Sequence, residues 1–184
     1  FDGLSTKVNI PDSSLINTGG PYTERSVELW FRADVVDFEP RMLFEEGGST
    51  RGLNIFVQEI DGVDTLVMSA WNLAEESWGP IAVSTEIDEG EVYHAVMVFA
   101  ASENDFFGDF DGRIAGYLDG EQFDMLLGAD RFYVHTDDIS IGGIGQGTLL
   151  PDRTIVNSGG AFLGVIDDFS LYNIALDDPD GDSD

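Results

Sequence analysis

Apolar and polar residues alternate at period two along Val27-Glu28-Leu29-Trp30-Phe31-Arg32, Leu53-Asn54-Ile55-Phe56-Val57-Gln58, Thr65-Leu66-Val67-Met68-Ser69-Ala70-Trp71 and Arg113-Ile114-Ala115-Gly116-Tyr117-Leu118. That period belongs to a strand whose successive side chains point to opposite faces of a sheet. Turn signals separate the runs: Asn17-Thr18-Gly19-Gly20-Pro21, Glu46-Gly47-Gly48-Ser49, Asp61-Gly62, Asp88-Glu89-Gly90, Asp119-Gly120 and Ser158-Gly159-Gly160. Connections this short join antiparallel strands, because a parallel crossover needs a dozen residues or more. No window sustains apolar residues at i, i+3, i+4 and i+7 for three turns, and 22 glycines are scattered through the chain, which works against helix. Helical turns are expected only near Pro11–Leu15 and Asn173–Leu176. About a dozen short strands predict an all-β fold, two antiparallel sheets stacked as a jelly-roll sandwich.

With 184 residues, 42% of them hydrophobic, the chain can bury one sizeable core, and one domain is expected over residues 1–176. From Asp177 to Asp184 the composition turns to aspartate alternating with small and turn residues. Such a segment cannot bury apolar surface and reads as a linker to a further domain of a larger multidomain chain.

Charge narrows the partners. Acidic residues number 36 against 8 basic ones, a net charge of −28, so nucleic acid and anionic membranes would be repelled. No run of about 18 apolar residues is present, and no direct membrane insertion is expected. The acidity suits a surface solvated at high salt, a halophilic trait, and equally a store of oxygen ligands for Ca²⁺. The absence of cysteine excludes disulfides, thiolate metal sites and cysteine proteases, and is compatible with an exported protein stabilised by calcium.

Several stretches in order carry a family likeness: Phe1-Asp2-Gly3 with Val8-Asn9-Ile10-Pro11, Ser26-Val27-Glu28-Leu29-Trp30-Phe31, Tyr93-His94-Ala95-Val96-Met97-Val98, Ala115-Gly116-Tyr117-Leu118-Asp119-Gly120, Ile139-Ser140-Ile141-Gly142-Gly143, and the segment from Phe162 to Leu176 that includes Val165-Ile166-Asp167-Asp168-Phe169. Together they resemble the concanavalin-A-like lectin and glucanase superfamily, in its laminin-G-like and pentraxin-like branch. The resemblance implies a carbohydrate or protein/peptide ligand and a secreted or cell-surface location. It also implies that Asp2 and Asp167 approach each other where the first and last strands meet, at a structural calcium ion, with Asp168 facing the other way. Hydrogen-bond capping of turns by Asp167 accounts for the same residue without metal.

A second calcium candidate is the loop Ser102–Gly112, where Asp105, Asp109 and Asp111 lie among three phenylalanines; a solvated loop with hydrophobic anchors accounts for the same composition. For a sugar, Trp71, Trp78 and Tyr117 are the candidate platform, and Asn72, Asp109 and Asp111 the candidate polar groups. Trp71, on a strong strand pattern, reads as core at least as readily as ligand; Trp78 is expected to be exposed in its turn, Trp30 to be core, and His94 and His135 to be structural. Catalysis is not expected. The closest approach to a paired-carboxylate strand, Thr85-Glu86-Ile87-Asp88-Glu89-Gly90, reads as a turn, and neither a Gly-x-Ser-x-Gly elbow nor a His-Glu-x-x-His pair occurs. The function expected is an extracellular carbohydrate- or partner-binding adhesion module, probed against a calcium-stiffened spacer and a glycan hydrolase or lyase of the same fold.

Overall fold

The computed structural model describes residues 1–74, 76–101 and 112–177. Within them the strands are β1 (Val8–Ile10), β2 (Glu24–Ala33), β3 (Arg41–Gly47), β4 (Arg51–Ile60), β5 (Val63–Asn72), β6 (Trp78–Glu86), β7 (Val92–Ala100), β8 (Gly112–Leu118), β9 (Glu121–Ala129), β10 (Ile139–Ile141), β11 (Thr148–Leu149), β12 (Ile155–Val156) and β13 (Gly164–Tyr172). A six-stranded sheet runs β1-β10-β3-β4-β5-β6, a five-stranded sheet runs β13-β2-β7-β8-β9, and β11 and β12 form a separate ribbon. The strand pairs are antiparallel, and the described residues contain no helix. The all-β jelly-roll sandwich expected from period two is the fold, and the chain leaves β6 at Glu86 for the expected turn.

Period two decides which side chains meet between the sheets. On β2 the inward set is Val27, Leu29, Phe31 and Ala33; Ala95, Met97 and Phe99 answer from β7. The six-stranded sheet returns Leu53, Ile55 and Val57 from β4, with Leu66, Met68 and Ala70 from β5. Phe44 meets Phe169 across the layers with ring centroids 5.1 Å apart. Burial of this apolar set supplies most of the stabilisation, at roughly 25 cal/mol per Å² removed from water.

The two outer faces differ. That of the six-stranded sheet is covered: Ile144 and Leu150 in the segment after β10 pack onto Met42, Phe56 and Val67. The polar row in register beside them, Ser140, Glu45, Asn54 and Ser69, is buried as well. Asn54 donates to Thr148 Oγ1 at 2.9 Å and accepts from Ser69 Oγ at 2.6 Å, so these members of the row keep their hydrogen bonds under cover. On the five-stranded sheet, by contrast, the outward residues include exposed Trp30, Val92 and Val165.

Asp177, expected in the linker, is docked on the domain: Arg113 donates to its Oδ1 at 3.0 Å and the Tyr117 hydroxyl to its Oδ2 at 2.8 Å. Residues 178–184 lie outside the described residues.

Candidate functional site

The candidate sugar platform is redistributed by the packing. Trp71 has outward parity on β5, yet it is 0% exposed and donates from Nε1 to the Gly48 carbonyl at 3.0 Å. The turn between β3 and β4 closes over it, and Gly52 leaves room for the ring, since a Cβ there would lie 2.6 Å from Trp71 Cζ2. Trp78 is 5% exposed rather than exposed in a turn. It opens β6 opposite Asn72, stacks on Phe99 at 5.7 Å and donates to the Arg131 carbonyl. Tyr117 shares its hydroxyl between Asp177 and Gln122; burial and the Asp177 carboxylate push the phenol up to about 12. Trp30, expected in the core, is 42% exposed.

Asp2 and Asp167 occupy different positions along the last strand and its approach. Asp2 bridges to Leu163, whereas Asp167 lies opposite Trp30, four residues or roughly 13 Å further along β13 at strand spacing. Oδ1 of Asp2 accepts the backbone N–H groups of Leu4, Ser5 and Thr6 at 2.9–3.0 Å, and these bonds hold its carboxyl well below the usual carboxylate range. Oδ1 of Asp167 accepts the Asp168 N–H at 2.9 Å, the capping alternative. Among the described residues no group of three or more carboxylate or imidazole side chains could hold a metal ion. Asp105, Asp109 and Asp111 lie outside the described residues.

What the packing does assemble is a polar pocket of about 460 Å³ at the sheet rim, lined by Thr18, Thr50, Arg51, His135, Thr136 and Asp137. Three chain segments meet there: the β3–β4 turn, the loop before β2, and the connection from β9 to β10. The turn is tight because Gly47 has φ +97° and the Gly48 N–H donates to the Arg51 carbonyl at 2.7 Å. Arg51 pairs with Asn72 across the strands. Its Nε donates to Asn72 Oδ1 at 3.0 Å, its Nη1 to the Val134 carbonyl at 3.1 Å, and its guanidinium lies 5.8 Å from the centre of the Tyr133 ring. Asn72, a candidate ligand residue, is buried and holds Arg51 instead.

The loop before β2 is tied to the same connection. Asn17 donates from Nδ2 to the His135 carbonyl at 3.2 Å and to Asp12 Oδ1 at 2.7 Å, and the His135 N–H donates to the Asn17 carbonyl. Behind the pocket, buried Glu46 Oε1 pairs with Arg25 and lies 3.3 Å from His135 Nε2. Arg25 also donates to the Ile16 carbonyl and to Asn173 Oδ1, and lies 4.3 Å from the Tyr22 ring centre. A buried ion pair is tolerated only with such additional partners. The pocket therefore offers a guanidinium, a carboxylate and three hydroxyls, donors and acceptors suited to a ligand bearing several hydroxyl groups, while the His135 imidazole is buried against Glu46. Arg51, Asp137 and the threonines were not read as site residues, because only strand register and loop closure bring positions 18, 51 and 137 together.

A family model described as the concanavalin A-like lectin/glucanases superfamily, laminin G type, matches residues 2–180. A search of curated proteins returns no match. Among solved structures, the chain is similar to a pentraxin from Limulus polyphemus, with 16% identity over 96% of this chain and 79% of that one, TM-score 0.56. It is similar to domain 4 of an extracellular arabinanase from Geobacillus stearothermophilus, solved with arabinotriose: 16% identity, 96% and 70% coverage, TM-score 0.60. It is also similar to domains LG4-5 of the mouse laminin α1 chain, with 13% identity, 98% and 42% coverage and TM-score 0.58. At these identities the likeness is one of fold.

Proposed function

The chain belongs to the laminin-G-type branch of the concanavalin A-like lectin and glucanase superfamily, and we propose that it is an extracellular carbohydrate-recognition module of a larger secreted or surface protein, binding glycan without transforming it. The observation that carries the reading is the rim pocket: Arg51 held by Asn72 and by the Val134 carbonyl beside Thr18, Thr50, His135, Thr136 and Asp137. Fixed polar groups around a pocket of this size orient a hydroxyl-rich ligand. The arabinotriose complex of the arabinanase domain supports carbohydrate as the ligand class for this fold.

Calcium belongs to the same reading as a structural ion. Asp2 with Asp167, and separately Asp105, Asp109 and Asp111, are its expected ligands, while among the described residues no group of three or more such side chains is gathered.

The test is binding of immobilised neutral oligosaccharides, arabinotriose included, with Arg51→Ala and Asp137→Ala compared with the parent chain. Loss of one charge-assisted hydrogen bond, worth ~1.5–3 kcal/mol, should weaken binding roughly tenfold or more. Equal binding by both variants would sink the pocket assignment, and release of reducing ends from the same oligosaccharides would make the chain an enzyme.

A further inference from the structure

The exposed Trp30 lies on the other sheet and has no part in the rim pocket. Strand register sets it between Asp167 of β13 and His94 of β7. Its ring stacks on the imidazole with centroids 4.9 Å apart and planes 30° from parallel. His94 is held in turn: Nε2 lies 2.8 Å from Glu28 Oε1, Glu28 Oε2 accepts the Tyr172 hydroxyl at 2.8 Å, and the His94 N–H donates to Asp119 Oδ1 at 2.9 Å. The indole is thus backed by an ordered polar network rather than by apolar core.

In front of it is a depression of about 250 Å³, lined by Trp30, Arg32, Val92, Val165, Asp167 and Asp168. Val92 and Val165, its apolar walls, are 58% and 47% exposed. Asp168 sits in the bulge between Asp167 and Ser170 with φ +48°, a left-handed conformation unfavourable for a residue with a side chain and often kept at binding sites. The bulge brings both adjacent carboxylates to one depression.

We infer that this depression is a second carbohydrate site, in which a single neutral sugar ring stacks on Trp30 and donates hydroxyl hydrogen bonds to Asp167 and Asp168. The electron-rich indole face attracts the C–H face of a sugar, and hydroxyl donation to a carboxylate is stronger than donation to a neutral acceptor. The volume falls below the ~300 Å³ at which small-molecule pockets usually begin, which suits one ring rather than a chain. A net charge of −28 and the engagement of Arg32 with Asp34 at 2.8 Å disfavour uronic or sulfated sugars. The inference shares the carbohydrate reading but not its site, so the module would hold two glycans at separate places.

Because Trp71 and Trp78 are buried, a ligand on Trp30 has its own optical signal. The experiment titrates methyl glycosides of glucose, galactose, mannose and arabinose, and N-acetylglucosamine, following tryptophan emission and binding heat, with glucuronic acid as the anionic control. At least one neutral sugar should change the emission. Trp30→Phe should abolish that change while keeping most of the affinity, and Trp30→Ala or Asp167→Asn should lower affinity about tenfold, the scale of ~1.4 kcal/mol. Thermal unfolding establishes that each variant is folded, and Trp30→Phe keeps the test open if Trp30→Ala is not. No response to any neutral sugar, tighter binding of glucuronic acid, an emission change that persists in Trp30→Phe, or unchanged affinity in Trp30→Ala and Asp167→Asn would overturn the second site. Glycan binding lost in Arg51→Ala but intact in Trp30→Ala would overturn it while leaving the rim pocket standing; the reverse pattern would do the opposite.

Discussion

Glu45 shows how one residue ties stability to pH. It lies in the covered polar row, with Oε2 accepting from Ser140 Oγ at 3.3 Å and from the Gly145 N–H at 3.2 Å, while Oε1 has no partner among the described residues. Burial is the main force pushing its carboxyl up to about 8; the two hydrogen bonds oppose the shift, and the Asp137 and Glu46 charges add to it. The folded chain therefore keeps a proton that the unfolded chain loses near 4.5. Stability from this group is complete below about 4.5 and declines as pH rises through about 8. Glu45→Gln should flatten that decline and leave the protein more stable at pH 9, by several kcal/mol at most. Denaturant midpoints between pH 4 and pH 9 check this, and equal slopes for the two chains would assign the pH dependence elsewhere.

At the scale of elements, the rim pocket depends on a loop held from inside. Arg25 on β2 reaches Glu46 on β3, the Ile16 carbonyl in the loop and Asn173 after β13. It therefore joins both sheets to one wall of the pocket. Arg25→Met would strand Glu46 as a buried charge and should cost about 3–5 kcal/mol, measured as a lowered denaturant midpoint. Because the same change frees the loop carrying Thr18, sugar affinity at the rim should fall under conditions where the variant is still folded. Unaltered affinity would mean that the loop holds its position without Arg25.

For the whole molecule, the charge of −28 sets the response to ions. Screening of self-repulsion should raise the unfolding temperature between dilute buffer and molar salt, and a midpoint independent of salt would show the acids to be too dispersed to matter. Calcium is tested separately by calorimetry at fixed high ionic strength, with excess Ca²⁺ or with chelator. At 100 times its dissociation constant the ion should add roughly 2.7 kcal/mol, raising the transition by several degrees in a domain of this size. An identical transition in chelator would remove structural calcium from the proposal and leave Asp105, Asp109 and Asp111 as solvated acids.

Period two, turn chemistry and the order of the family stretches were enough to read an antiparallel sandwich, because side-chain alternation and glycine turns are local properties. Parity also carries information that the core expectation for Trp30 passed over: Trp30 and Trp71 both alternate away from the apolar set of their strands. Coverage of an outer face is not local. Trp71 disappears under the β3–β4 turn, whereas Trp30 stays open because the segment that covers part of the other sheet, around Ala175 and Asp177, packs on Val98, Ala100, Ala115 and Tyr117 instead. The same holds for Asn72, whose role beside Arg51 follows from cross-strand register, and for Thr18 and Asp137, which share a pocket only after the loop before β2 and the β9–β10 connection meet. Local pattern thus determined the strands and their faces, while long-range packing decided which of those faces a ligand can reach.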